Sequence, residues 1–310
     1  MRGRSCDLRL LLLFIICSVS VRGASVSGFR ICAYNLQNFT PEKASNLQML
    51  HTLTRFLSRY DICLLQHVVD PDGTAIKALV SKLNSASYSY DKHIYKSVSS
   101  RALGKSSDNM QQYVFLYRTR TVNITGQHQY TGQSFVRPPF VVQFQSNKTE
   151  INQFVLVPLH SDEDQVIQEI DWLYDVFEEV SRKWNNTNVM FLGDFHASCA
   201  YVTRANRKNI RLYTNNSFSW MIDEKEDTTV TDTTNCAYDR IVVHGQPFLR
   251  AIVPGSGQVN KFKFRRYKPS TEKVLAISSH YPVEVQLKSS APLLQATPLL
   301  ILAVIVCFRL

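Results

Sequence analysis

The chain has 310 residues, of which 45% are apolar, 19% charged and 11% aromatic, and its formal charge is +10. Such a composition can bury one large core and excludes a disordered, collagenous or disulfide-knot protein. The positive balance suits a polyanionic partner.

In chain order, Arg2, Arg4 and Arg9 precede or enter the apolar run Leu10–Val21, and Val21 and Gly23 occupy the small-residue positions ahead of Ala24. The run is shorter than the roughly 20 apolar residues a membrane span needs, so residues 1–23 are expected to be a secretory signal peptide. Phe29–Asn35 reads as a strand. Glu42–Tyr60 reads as a helix, with Leu47, Leu50, Leu53 and Leu57 at three- and four-residue spacings. Ile62–Val68 is a second strand and Thr74–Leu83 a second helix. Strands are predicted at Tyr113–Arg118, Phe140–Phe144 and Phe154–Leu159. A long helix, Asp162–Trp184, follows, with Ser161 and Asp164 at capping positions and Val166, Ile170, Leu173, Val176, Phe177 and Val180 along one face. Val189–Leu192, Tyr238–Val243, Val274–Ile277 and Val283–Leu287 complete a strand-rich second half. One compact α/β domain, residues 24–288, with two sheets covered by helices is the simplest architecture.

The chain ends on small residues, Ser289, Ser290 and Ala291, a short spacer and about ten apolar residues, the order of a GPI-attachment signal over residues 289–310. An uncleaved tail is the alternative. Without the first 23 residues (four arginines against one aspartate) and the last 22 (one arginine), the domain still carries +6. Sequons at Asn38, Asn123, Asn147, Asn185 and Asn215 suit a secreted glycoprotein. Four cysteines lie within the domain. Cys32 and Cys63 sit in apolar strand-like runs and are expected to be buried thiols. Cys199 and Cys236 flank loops and could pair in an oxidising compartment.

Polar residues stand where the apolar strands end: Asn35 after RICAY, His67 after ICLLQ, His160 after LVPL, Asp194 and His196 in LGDFHASC, Asp239 in NCAYDRIV and His280 in ISSHYPVEV. Strand ends are where α/β sheets place their sites. One such residue alone is more often structural than catalytic, but a set at corresponding places points to chemistry. Two histidines with carboxylates can share acid and base work on a water and a leaving alkoxide, and Asp or Asn can hold a cation. Phosphodiester hydrolysis needs those parts. The chain has no G-x-S-x-G elbow and no P-loop pattern to support a different reaction.

The segments RICAYNLQNF, YDICLLQHVVD, LVPLHS, VMFLGDFHASCAYVT, TNCAYDRIVVHG and ISSHYPVEV resemble the deoxyribonuclease I family across nearly all of residues 29–288. With HVVDPDGTAI, LYDVFEEVS and the apolar tail, the chain is most similar to the membrane-anchored branch called deoxyribonuclease X. The resemblance implies the four-layer sandwich of the endonuclease/exonuclease/phosphatase superfamily: two mostly antiparallel β-sheets flanked by helices. It further implies a monomeric DNA endonuclease assisted by Mg²⁺ or Ca²⁺, with a Cys199–Cys236 disulfide. By the same match His160 and His280 are the acid–base pair, Asp239 orients His280, Asn35 and Asp194 bind metal or phosphate, and Arg137 contacts phosphate.

Four positions depart from the family pattern. His67 and Ser279 stand where it has metal-binding carboxylates, Gln111 where a glutamate orients the first histidine, and His196 where it has asparagine. Hard cations prefer carboxylate oxygen, so a weakened metal site and weak turnover are expected. His67 and His196 could instead favour Zn²⁺ in an imidazole-rich pocket. A pseudonuclease that holds extracellular DNA or another polyanion is the alternative function. Val69 and Asn109 replace the family's groove-reading arginine and tyrosine. Lys261, Lys263, Arg265, Arg266 and Lys268, and a second cluster of Arg204, Arg207, Lys208 and Arg211, could neutralise the phosphates of DNA, sulfated glycans or anionic lipid.

Overall fold

The computed structural model describes residues 28–88, 94–262 and 268–290. The expected signal peptide and all but the first two residues of the tail lie outside them. Twelve strands form two six-stranded sheets. The first holds β1 (Phe29–Phe39), β2 (Ile62–Val68), β3 (Tyr95–Ser99), β4 (Gln112–Arg118), β11 (Gln258–Val259) and β12 (Val283–Leu287), in the order β11-β12-β1-β2-β4-β3. The second holds β5 (Asn123–Gln129), β6 (Phe140–Gln145), β7 (Gln153–Pro158), β8 (Val189–Asp194), β9 (Phe218–Trp220) and β10 (Asp239–His244), in the order β5-β6-β7-β8-β10-β9. β1 and β2 are parallel, as are β7 and β8, and the other pairings are antiparallel.

The central strands are apolar on both faces because both are covered. Ile31 and Ala33 join Leu64, Phe115, Leu156 and Leu192 in the core between the sheets. The alternate residues Cys32 and Tyr34 pack with Leu53 and Phe56 beneath the helices of the first sheet. Val155, Val157 and Phe191 pack with Ile170, Leu173 and Val176 beneath the long helix of the second. Three apolar layers thus separate four structural layers, as the resemblance implied.

Local chemistry corrects several expectations. The helix foreseen over 42–60 is two, α1 (Pro41–Ser45) and α2 (Leu47–Leu57), because Asn46 leaves helical backbone and its side chain accepts from the N–H groups of Gln48 and Met49. α3 spans Thr74–Tyr88. The long helix α4 begins at Val166, not Asp162, and neither Ser161 nor Asp164 caps it. The short α5 (Arg211–Thr214) and α6 (Gln246–Ala251) follow. Val274–Ile277 is not a strand but overlaps helix α7 (Thr271–Leu275): only Val274 and Ile277, three apart, are buried, while Leu275 and Ala276 are exposed. Cys32 and Cys63 are not free thiols. They face each other in register across β1 and β2 with Cα atoms 4.6 Å apart and form a disulfide. The Cys199–Cys236 disulfide is present as expected.

Most of the expected basic stripe, residues 263–267, lies outside the described residues. Phe262 is buried against Tyr34 and Phe56. In the second cluster, Arg211 is engaged by Asp171 and Asp175 and Arg207 by Glu224, so half of that cluster is already neutralised within the fold.

Candidate active site

The carboxyl ends of both parallel strand pairs open on one edge of the sandwich, where a cleft of about 500 Å³ lies between the sheets. Asn35 lies at the register shift within β1 and His67 near the end of β2, while His160 follows β7 and Asp194 ends β8. Gln111, Arg137, His196 and His280 also line the cleft, as do the acidic Asp162, Glu163 and Asp164. Asp239 lies beneath, paired in register with Asp194 across β8 and β10. Ser279 does not line the cleft. Its N–H donates to Gln37 Oε1 (2.8 Å) and its carbonyl accepts from Val230.

His160 and His280 approach Asp194 from two sides, each Nε2 standing 3.8 Å from Asp194 Oδ2. Each is held from behind through Nδ1. Asp239 Oδ2 is 2.8 Å from His280 Nδ1, and Gln111 Oε1 is 2.9 Å from His160 Nδ1. The Gln111 amide donates in turn to Asn109 Oδ1 (3.3 Å), which turns its oxygen toward the ring. Gln111 therefore preserves the orienting contact and directs the Nε2 lone pair of His160 toward the cleft. An amide oxygen brings no negative charge to that contact.

The two histidines are polarised in opposite senses. Burial disfavours an imidazolium at His280, but the carboxylates of Asp239 and Asp194 outweigh it and hold its pKa at about 9. Burial, helped by the nearby Arg137 charge, drives His160 well below the ordinary histidine range against the pull of Asp194. Burial and Arg137 likewise take His67 down to about 4. Its ring lies 5.4 Å from that of His160. Burial alone would raise Asp194, but His196, His280 and His160 around it and the Asn35 amide (2.9 Å) keep it well below the usual carboxylate range. His196 Nδ1 stands 3.6 Å from Asp194 Oδ1 and 3.1 Å from the Ser161 hydroxyl.

Three positioning side chains escaped the sequence analysis. Gln66 is fully buried and joins the sheets, its Nε2 donating to Leu159 O (2.7 Å) and its Oε1 accepting from Asp194 N (2.9 Å). The Tyr113 hydroxyl accepts from His160 N (2.9 Å) and donates to Arg137 O (3.0 Å). Glu169, fully buried on α4, accepts from Val136 N (2.7 Å) and Asp162 N (2.9 Å), clamping together the segments that carry Arg137 and His160. Arg137 donates from Nε to His160 O and from its terminal nitrogen to Ser161 O, so it supports the histidine as well as lining the cleft. The signal for Gln66 and Glu169 was present only as a polar residue inside an otherwise apolar strand or helix face.

A divalent cation fits one part of this cleft and not another. Asp194, Asp239 and His280 bring one ligand atom each within 4.8 Å of one another. Asp239 Oδ1 is buried with no hydrogen-bond partner, an oxygen available to a cation. His67 and His196 are outside that trio. On the His67 side the imidazole is kept neutral by burial, and the Ser279 backbone N–H is spent on Gln37 Oε1.

The family model described as Endonuclease/Exonuclease/phosphatase matches residues 32–270. Deoxyribonuclease-1 of Gallus gallus is 40% identical over 288 residues, covering 91% of this chain and 99% of that protein. Deoxyribonuclease-1-like 1 of Cricetulus griseus is 39% identical over 299 residues, covering 94% and 92%. These near-equal identities single out no branch. Among solved structures, an endonuclease/exonuclease/phosphatase family protein from Leptotrichia buccalis shares the fold, with a TM-score of 0.57 at 14% identity over 84% of this chain and 99% of that one. The family model and the sequence relatives agree: the chain belongs to the Endonuclease/Exonuclease/phosphatase family, among its deoxyribonuclease I-like members.

Proposed function

We propose that this chain is a metal-assisted DNA endonuclease of reduced turnover, working through His160 and His280. The observation that carries the reading is the opposite polarisation of two histidines equidistant from one carboxylate. His160, neutral with its Nε2 lone pair free of the Gln111 contact, takes a proton from water as the new O–P bond forms. His280, cationic against Asp239, gives its Nε2 proton to the O3′ leaving group as the P–O3′ bond breaks, yielding a 5′-phosphate and a 3′-hydroxyl. Asn35 and Arg137, which line the cleft, would contact the phosphate. Asp194 and Asp239 would hold the divalent ion, which supplies positive charge against the developing phosphate charge. Zn²⁺ is the alternative ion, with the His67 and His196 imidazoles as its nitrogen donors, since His280 must keep its proton.

Loss of the family's acidic groups at His67, Gln111 and Ser279, together with His196, should lower the rate by about 10² to 10⁴. Plasmid nicking in Mg²⁺, Ca²⁺, Mn²⁺ and Zn²⁺ tests this beside a variant carrying His67→Glu, Gln111→Glu, His196→Asn and Ser279→Asp. Parent turnover within about tenfold of that variant removes the impairment. No nicking by either protein defeats the nuclease reading and favours the second one, a protein that holds DNA or another polyanion without cutting it. The neutral His67 is the observation behind that alternative.

The remaining proposals concern address. Two disulfides favour folding in an oxidising compartment, in accord with a signal peptide, sequon glycosylation and a C-terminal GPI anchor, and we place the mature protein at the cell surface or outside the cell as a monomer.

A further inference from the structure

We propose that Asn38 carries an N-linked glycan standing at the lip of the cleft, where it restricts duplex DNA more than thin or flexible phosphodiester chains. The inference rests on the secretory address and nuclease reading proposed above. Strand register separates the five sequons into two groups. Asn123 faces Gln145, which faces Gln153 at the start of β7, the end remote from the cleft. Asn147 lies in the following β6–β7 connection. Asn185 caps the C-terminus of α4 just ahead of β8. Asn215 precedes β9, whose Phe218 pairs with His244 at the end of β10 farthest from Asp239. These four occupy the pole opposite the active site. Asn38 alone lies at the cleft pole, past Asn35 on β1.

Its surroundings fit an attached sugar. Gln37 and Asn38 adopt left-handed backbone with φ of 47° and 64°, at the register shift between Asn35 and Phe39. This bulge turns both residues outward and both are exposed. Gln37 lines the cleft, and its Oε1 accepts from Ser279 N (2.8 Å), the residue before His280. Asn38 also borders the adjoining surface depression with Thr40 and Lys43. A bulky substituent on its Nδ2 would stand at that depression, one residue from the cleft-lining Gln37.

The modification is a glycosyl transfer from a lipid-diphosphate-linked oligosaccharide during secretion. Asn38 Nδ2 attacks the anomeric carbon, the N–C bond forms as the C–O bond to diphosphate breaks, the diphosphate leaves with the electron pair, and Nδ2 loses a proton. The full chain should be secreted from animal cells and its glycopeptides examined by mass spectrometry. Binding of a 20-base-pair duplex and of a short single strand should then be measured for the parent and for Asn38→Gly, which removes the acceptor yet tolerates the left-handed backbone. Asn147→Gln, at the remote pole, serves as control. We expect an occupied Asn38, duplex affinity at least about tenfold tighter in Asn38→Gly, and little change for the single strand or the control. An unoccupied Asn38, or equal duplex affinity for parent and Asn38→Gly, overturns the inference while leaving the nuclease reading intact. Occupancy of Asn38 with no DNA binding by any form overturns both the gate and the nuclease reading.

Discussion

His67 occupies a backbone well that few residues other than glycine accept, with φ of 55°. Its imidazole is also kept neutral, and that has a cost with a definite sign. A histidine whose folded pKa lies near 4 binds fewer protons than its unfolded counterpart, so stability is lost as pH falls below about 6.5 toward 4. His67→Asn keeps a side chain suited to left-handed backbone and removes the titration. The parent should lose about 1 to 2 kcal/mol more than His67→Asn between pH 7 and pH 5 in urea unfolding. Equal losses would show that another group dominates. The same reasoning applies to catalysis. His280 must keep its proton and His160 must lack one, so kcat/KM should be level through neutral pH and fall above about 9. Gln111→Glu restores an anion behind His160 and should move the acidic limb upward without moving the alkaline one.

At the scale of elements, the site depends on how closely two sheets approach. Gly193 has φ of 130°, and a Cβ there would stand 2.4 Å from Leu159 O and 2.5 Å from the Gln66 amide. Gly193→Ala should therefore cost about 2 to 4 kcal/mol and reduce turnover by displacing Leu159 and Asp194, with melting temperature and nicking rate both falling. Cys32 and Cys63 close a separation of 31 residues. Replacing both with alanine should lower stability by about 3 to 4 kcal/mol in denaturant unfolding, and a loss below about 1 kcal/mol would contradict that view of the cross-link. The central strands and α4 were legible from apolar runs and helical spacing. The Cys32–Cys63 bond was not, because it depends on the register of two strands separated by α1 and α2. Val274–Ile277 misled because two buried residues three apart resemble a short strand when the intervening exposure is unknown. The candidate site side chains were legible because several polar residues stand together at corresponding places where apolar strands end. Glu169 and Gln66 were hidden because their partners are backbone atoms of distant segments.

For the whole molecule, a net charge near +6 after removal of both terminal segments predicts salt-sensitive, sequence-blind binding to DNA. Filter binding should give a linear loss of log affinity with log salt, each neutralised phosphate contributing about 0.9 to the slope, whereas a flat response would exclude phosphate neutralisation. The neutralised Arg207 and Arg211 should contribute little to that slope. The end of the described chain adds a directional element. β12 runs from the cleft pole toward the opposite pole, where Ser289 bridges to Thr149 and Ser290 donates to Lys148 O and Asn147 O. A tether joined beyond Ser290 would hold the protein by its base, with the mouth aimed into the surrounding medium. Long strands drifting past could then be engaged without the supporting surface standing in their way.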